Sequence, residues 1–152
     1  FNSPGQVVIA GSAAAVAGAG ERCVELGARR ALPLPVSAPF HSPLMAPARE
    51  GLAPNLDEIG FRPLSAPLYR NVDAAAVSAP DDVREGLIRQ VDSPVLWAQI
   101  IRRLRADGFD TFVEVGTGKV LSGLVKRIDR EALCYQAGTV ESIERTIADL
   151  VG

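Results

Sequence analysis

Apolar residues along this chain fall into two rhythms, a helical one and a short strand-like one, and the two alternate. Val16, Ala19, Cys23 and Leu26 recur at helical spacing after Ser12, a residue that caps helices, and Gly27 suits the stop. The spacing predicts a helix from Ser12 to about Leu26. Pro80 and Asp81 open another that runs to about Gln90, with Val83, Leu87 and Ile88 on one face. Ser93-Pro94 reads as a cap followed by proline in the first helical position. Trp97, Ile100, Ile101 and Leu104 follow it in the i, i+3, i+4, i+7 pattern, and Gly108 closes that helix. Val120, Leu121, Leu124, Val125 and Ile128 make a further apolar stripe, as do Ile143, Ile147 and Leu150 behind a cap at Thr139. A helix over 46–56 tolerates Pro47 in its first turn and is challenged by Pro54 near its end.

Between these stretches lie short β-rich runs: 6–10, 66–72, 111–115 and 133–136. The run 31–36 alternates but holds two prolines, so it reads as an edge strand or extended segment. Strands alternating with helices predict an α/β fold with a largely parallel sheet. The length, 152 residues, suits one domain or two closely joined subdomains. The chain starts at Phe1 without an initiator Met, which suggests a piece of a longer protein.

Composition narrows the classes. Hydrophobic residues are 47% of the chain, enough for a core at this length. A net charge of -2, with no long run of Lys or Arg, argues against nucleic-acid binding. No apolar stretch approaches the roughly 18 residues of a membrane span, and the first residues do not look like a signal peptide. Cys23 and Cys134 are too few and too far apart for a disulfide framework, and both read as small buried hydrophobes in a reducing cytoplasm. One histidine and two distant cysteines leave no metal site, and no cofactor is implied.

Two segments carry candidate chemistry. His41, the only histidine, sits in Ala38-Pro39-Phe40-His41-Ser42-Pro43, a proline-bracketed loop. Imidazole titrates near neutral pH, so a rigid loop presenting it suits a general base; a surface or capping histidine is the alternative. The adjacent Ser42 is not read as its nucleophile, since residues of a triad meet through the fold rather than along the chain. Gly116-Thr117-Gly118-Lys119 follows a strand and opens a helix, as a phosphate-binding turn does. Val113, Val120 and Leu121 stand where the phosphate and dinucleotide motifs need other residues, which favours a plain tight turn. Arg102, Arg103, Arg105, Lys126, Arg127, Arg29 and Arg30 offer basic surface to an acidic partner, or simply form solvated helix faces.

Four stretches together resemble the malonyl-CoA:acyl carrier protein transacylases of fatty acid synthesis. They are 2–11 (NSPGQVVIAG), 34–45 (LPVSAPFHSPLM), 90–97 (QVDSPVLW) and 114–124 (EVGTGKVLSGL), and their order and spacing match the family over essentially the whole chain. The resemblance implies that His41 is the general base, paired with a serine. It implies that the main-chain carbonyl of Gln90 holds the other ring nitrogen, that Phe40 narrows the acyl pocket in favour of malonyl, and that Asn2 lies near the cleft. Thr117 departs from the more usual proline of that turn.

The family's fold pairs an α/β-hydrolase-like large subdomain with an inserted ferredoxin-like small one. Residues 1–37 would be the second half of the small subdomain, and 38–152 the C-terminal part of the large one. The family's serine elbow, malonyl-clamping arginine and oxyanion glutamine have no match here, and no GxSxG occurs. The resemblance thus implies an acyltransferase fragment, inactive alone, whose partners are malonyl-CoA, acyl carrier protein and the missing N-terminal portion. The implied reaction is ping-pong transfer through a malonyl-serine ester. Two other functions remain open: an acyltransferase domain of a polyketide synthase, and a non-catalytic module that binds carrier proteins.

Overall fold

A computed structural model describes residues 1–152. The chain divides into two compact units, Val8–Val95 and a second made of Phe1–Val7 with Leu96–Gly152. The architecture is α/β, and no helix is long and apolar enough to cross a membrane.

In the first unit, α1 (Ala13–Glu25) begins at Ser12, whose Oγ accepts the Ala15 amide at 3.4 Å. It ends as the Gly27 signal predicts. Gly27 has φ 98°, its amide reaches the Val24 carbonyl at 3.0 Å, and the Ala28 amide reaches Cys23 at 2.9 Å. A 3-10 turn (Pro43–Met45) leads into α2 (Ala46–Asp57), which runs through Pro54. One turn below, the Asn55 side chain donates to the Gly51 carbonyl at 2.8 Å. Strands β1 (Leu68–Tyr69) and β2 (Ala76–Val77) pair antiparallel. The run 66–72 thus yields only two strand residues, whose antiparallel partner lies at 76–77, outside the β-rich runs. Helix α3 (Pro80–Gln90) has proline at its start, two aspartates in its first turn and Arg89 in its last, each matching the helix dipole.

Arg70 ties the small hairpin to α3. Its guanidinium forks onto Asp73 at 3.1 and 2.6 Å and donates to the Asp82 carbonyl at 3.0 Å. Its aliphatic stem lies across Gly86, where an added Cβ would come within 2.4 Å of Arg70 Cδ. Glycine at 86 is therefore a packing requirement, since its helical backbone suits any residue.

In the second unit, α4 (Trp97–Ala106) leads to β3 (Thr111–Val115), α5 (Val120–Ile128), β4 (Leu133–Ala137) and α6 (Val140–Val151). Strands β3 and β4 pair parallel from Thr111↔Leu133 to Val115↔Ala137, with α5 as the crossover; the largely parallel sheet expected from the alternation is instead two separate strand pairs, of which β1–β2 is antiparallel. Ile101, Val125 and Ala132 form the core, and Trp97, Leu104, Phe112, Ile128 and Cys134 pack on it. Thr139 caps α6 in a reciprocal box with Ser142.

Several expectations need correction. Residues 6–10 and 31–36 form no strand; apart from an isolated bridge between Gln6 and Ser3 they join no ladder, and Val7, Val8, Ile9, Leu32, Leu34 and Val36 are exposed. Ser93-Pro94 does not cap α4, which begins at Trp97 with the Leu96 carbonyl accepting from Gln99 and Ile100. Cys23 is exposed, because α1 buries none of its residues. Cys134 is half-buried, and that burial raises its thiol pKa. On α6 it is Thr146 that is buried, donating to the Gln136 carbonyl at 2.7 Å, while Ile143, Ile147 and Leu150 remain exposed.

Ile101 is only 1% exposed at the centre of the second unit. Replacing it with alanine should cost about 2–5 kcal/mol, since the packed neighbours can only partly collapse on the cavity. Urea denaturation checks this, and a loss below 1 kcal/mol would show a looser core than described.

Candidate active site

The loop 38–42 is shaped by its prolines. Pro43 restricts Ser42 to extended backbone, and Ser42 has φ -130° and ψ 161°. His41, just before it, has φ 59°, the left-handed region that a non-glycine residue rarely occupies. Ser42 is 5% exposed, and its hydroxyl donates to the Pro39 carbonyl at 2.7 Å. That bond takes Ser42 out of consideration as a nucleophile, as its position in the chain suggests. Phe40, beside His41, is 48% exposed.

The other half of the site is the C-terminal end of α3. The last carbonyls of a helix have no partner within it and carry the negative end of its dipole. The Gln90 carbonyl is one of these, and it lies 3.0 Å from His41 Nδ1. A carbonyl only accepts, so Nδ1 carries the proton and the neutral ring leaves Nε2 with its lone pair free. A histidine held in this tautomer can accept a proton at Nε2, the arrangement an aspartate enforces in a serine-protease triad.

The Gln90 side chain turns the other way. Its Nε2 donates to the Ser93 carbonyl at 2.9 Å and the Pro94 carbonyl at 3.3 Å, which fixes the orientation of the amide. The same Nε2 is 3.5 Å from His41 Nδ1, too long to compete with the carbonyl. Arg49 on α2 pairs with Asp92 just past α3 at 2.9 Å, so the helix after the His41 loop is tied to the turn that follows Gln90. Sequence reasoning missed this pair and the Ser42 bond. The proline bracket hinted at the second; nothing local marks the first.

Of the residues singled out in the sequence, His41, Phe40 and Gln90 come together in the Val8–Val95 unit. Asn2 belongs to the other unit, where its amide donates to the Gln6 carbonyl at 3.1 Å beside a turn at Gly5, φ 74°.

The helix amides that follow the Gly116–Lys119 turn are taken by the protein itself. Glu114 accepts from the amides of Leu121 at 3.0 Å and Ser122 at 2.8 Å, and from the Ser122 hydroxyl at 2.6 Å. Gln136 Nε2 donates to Ser122 Oγ at 2.7 Å. These are the first amides of α5, the donors a phosphate would need, and a carboxylate already fills them. The turn also needs its glycines. Gly116 and Gly118 have φ 123° and 98°, and a Cβ on Gly138 would lie 2.3 Å from the Gly116 oxygen.

No family model matches the chain. Curated relatives do. One from Bacillus subtilis (strain 168), a malonyl CoA-acyl carrier protein transacylase, is 45% identical over 150 residues, 99% of this chain and 47% of that protein. The chain is a homologue of the malonyl CoA-acyl carrier protein transacylases. It spans about half the length of the curated relatives it matches. Solved structures agree. An acyl carrier protein S-malonyltransferase from Vibrio cholerae O1 biovar eltor matches with TM-score 0.92 and 46% identity over 96% of this chain and 48% of its own. A type II PKS acyl-carrier protein in complex with its malonyl-transacylase matches with TM-score 0.94 and 40% identity over 98% and 48%.

The Glu114 network has a pH signature. Its bonds from the Ser122 hydroxyl and the Ser122 and Leu121 amides outweigh desolvation and lower its pKa from 4.5 to about 2. A depressed folded-state pKa adds stability above the unfolded value, and that stability is lost as pH falls from 4.5 toward 2. In Glu114→Gln the pH dependence of stability in this window should flatten. Acid titrations followed by circular dichroism check it, and identical slopes in the two proteins would mean the bonds do not form in solution.

Proposed function

We propose that this chain contributes the general base to a malonyl-CoA:acyl carrier protein transacylase. The observation that carries the reading is the His41 Nδ1 bond to the Gln90 carbonyl, which leaves Nε2 free to take a proton, in a homologue of these enzymes. His41 Nε2 removes the proton from a serine hydroxyl supplied by the N-terminal portion, and the serine oxygen attacks the malonyl thioester. Backbone amides hold the tetrahedral oxyanion. The carbon–sulfur bond breaks, coenzyme A leaves as the thiol with the proton from His41, and a malonyl-serine ester remains. The phosphopantetheine thiol of acyl carrier protein then gives its proton to His41, attacks the ester and leaves as malonyl thioester, returning the proton to serine. Gln90 acts through its backbone, and Phe40 limits the acyl pocket.

Within this reading, residues 1–37 are the second half of a ferredoxin-like small subdomain. Residues 38–152 are the C-terminal part of an α/β-hydrolase-like large one. Exposed apolar side chains support a covering portion: Val8, Ile9, Leu32, Leu34 and Val36 in the first unit, and Val115 on β3, Val120 on α5 and Val140 and Ile147 on α6 in the second. The N-terminal portion covers them, and the chain by itself is inactive. Two free cysteines, Cys23 exposed, fit a reducing cytoplasm.

The test is a chimaera in which this chain replaces the matching 150 residues of the Bacillus subtilis relative. It should move malonyl from malonyl-CoA to acyl carrier protein, and its His41→Ala variant should lose about 10²–10⁴-fold in kcat. An alanine variant as fast as its parent would refute the reading, as would malonyl transfer by the 152-residue chain alone. In the same chimaera, Phe40→Ser should raise kcat/KM for methylmalonyl-CoA relative to malonyl-CoA by roughly 10-fold. An unchanged ratio would remove Phe40 from the acyl pocket.

A further inference from the structure

We infer that Ser42 is a positioning residue for His41, holding it in the conformation that presents Nδ1 to the Gln90 carbonyl; the inference deepens the reading of His41 as the base and rests on it. The chain turns between Pro39 and Ser42, and His41 lies within that turn at φ 59°. Left-handed backbone at a residue with a Cβ persists only where the surroundings over-determine it. Two constraints do so here. Pro43 forces Ser42 into extended backbone, and from there the Ser42 hydroxyl folds back to the Pro39 carbonyl at 2.7 Å, closing the turn around His41. Ser42 is 5% exposed, so water does not readily substitute for the hydroxyl.

Without that hydroxyl, the Pro39 carbonyl loses its donor and the turn is free to relax. His41 then returns to the ordinary backbone regions, which re-aims its Cβ and carries the ring away from the end of α3. Nδ1 loses its acceptor, the proton redistributes between the two ring nitrogens, and the fraction of rings with a free Nε2 lone pair falls. Ser42 touches no substrate in this scheme; it acts through His41. The hydroxyl also explains why a serine adjacent to the base is buried and turned away from it.

The chain has a single histidine, so its imidazole ¹⁵N signals are unambiguous. In the native chain, the neutral ring should report the Nδ1–H tautomer. Ser42→Ala should give a mixture of both tautomers and faster exchange of the Nδ1 proton. Because the alanine variant is also exposed to loss of folding, Ser42→Thr and Ser42→Val serve as a pair of similar shape that differs in the hydroxyl. The threonine should restore the native tautomer and the valine should not. In the transacylase chimaera, Ser42→Ala should lower kcat roughly 10-fold with KM for malonyl-CoA unchanged, and Ser42→Thr should recover most of it. The native tautomer in both Ser42→Ala and Ser42→Val would overturn the proposal, as would a valine variant matching the threonine one. The tautomer is read without any transfer reaction, so a failure of His41 as base, seen in His41→Ala, is separable from a failure of Ser42.

Discussion

The candidate site depends on one hydrogen bond, from His41 Nδ1 to the main-chain carbonyl of Gln90, made across 49 residues of sequence. It works because a helix must end somewhere. The terminal carbonyls of α3 lack partners within the helix, and one of them lies where a histidine needs a fixed acceptor. The helix end thereby offers Nδ1 an acceptor of the kind a carboxylate supplies in a Ser-His-Asp triad, without placing an ionised group beside the ring. Because the acceptor is backbone, the identity of the side chain at 90 is freed for another task, and Gln90 uses it to bind the turn at Ser93 and Pro94.

Everything nearby can be understood as holding the two ends of that bond. Pro39, Ser42 and Pro43 shape the loop that carries the ring. The Arg49–Asp92 pair connects the helix after the loop to the turn after α3. Arg84 with Asp57 makes a second tie between α2 and α3, and Arg70 anchors the hairpin on α3 through Asp73 and Asp82. The Arg84–Asp57 pair is exposed enough to contribute little stability, whereas Arg70 and Asp73 are largely buried. Their value here is geometric, because they fix helices whose ends make the site.

The second unit shows how a motif can mislead without its surroundings. Gly116-Thr117-Gly118-Lys119 has the strand-turn-helix setting of a phosphate loop, yet Glu114 turns back from β3 onto the helix amides. The carboxylate caps α5 internally, and its low pKa reflects the number of donors it has collected. Gly116 and Gly118 serve instead the turn's positive φ, and Gly138 lets the chain pass close to the Gly116 oxygen.

Periodic apolar spacing was sufficient for α3, α4, α5, β3 and β4, since each buries a face against a neighbour close in sequence. It was also sufficient for the caps at Ser12 and Thr139 and the stop at Gly27, which are local hydrogen-bond problems. The order and spacing of four short stretches pointed to the family and, through it, to His41 and Gln90. The apolar spacing failed for 6–10 and 31–36, because a strand is defined by a neighbouring strand and these segments have none here beyond the single Ser3–Gln6 bridge. It failed for the stripes of α1 and α6, because periodicity describes which face is apolar and not whether anything covers it. Only the folded chain decided the left-handed backbone at His41, the hydroxyl of Ser42 on Pro39, the Arg49–Asp92 pair and the capture of the α5 amides by Glu114. Each of these depends on where side chains meet in space, and no local spacing encodes that.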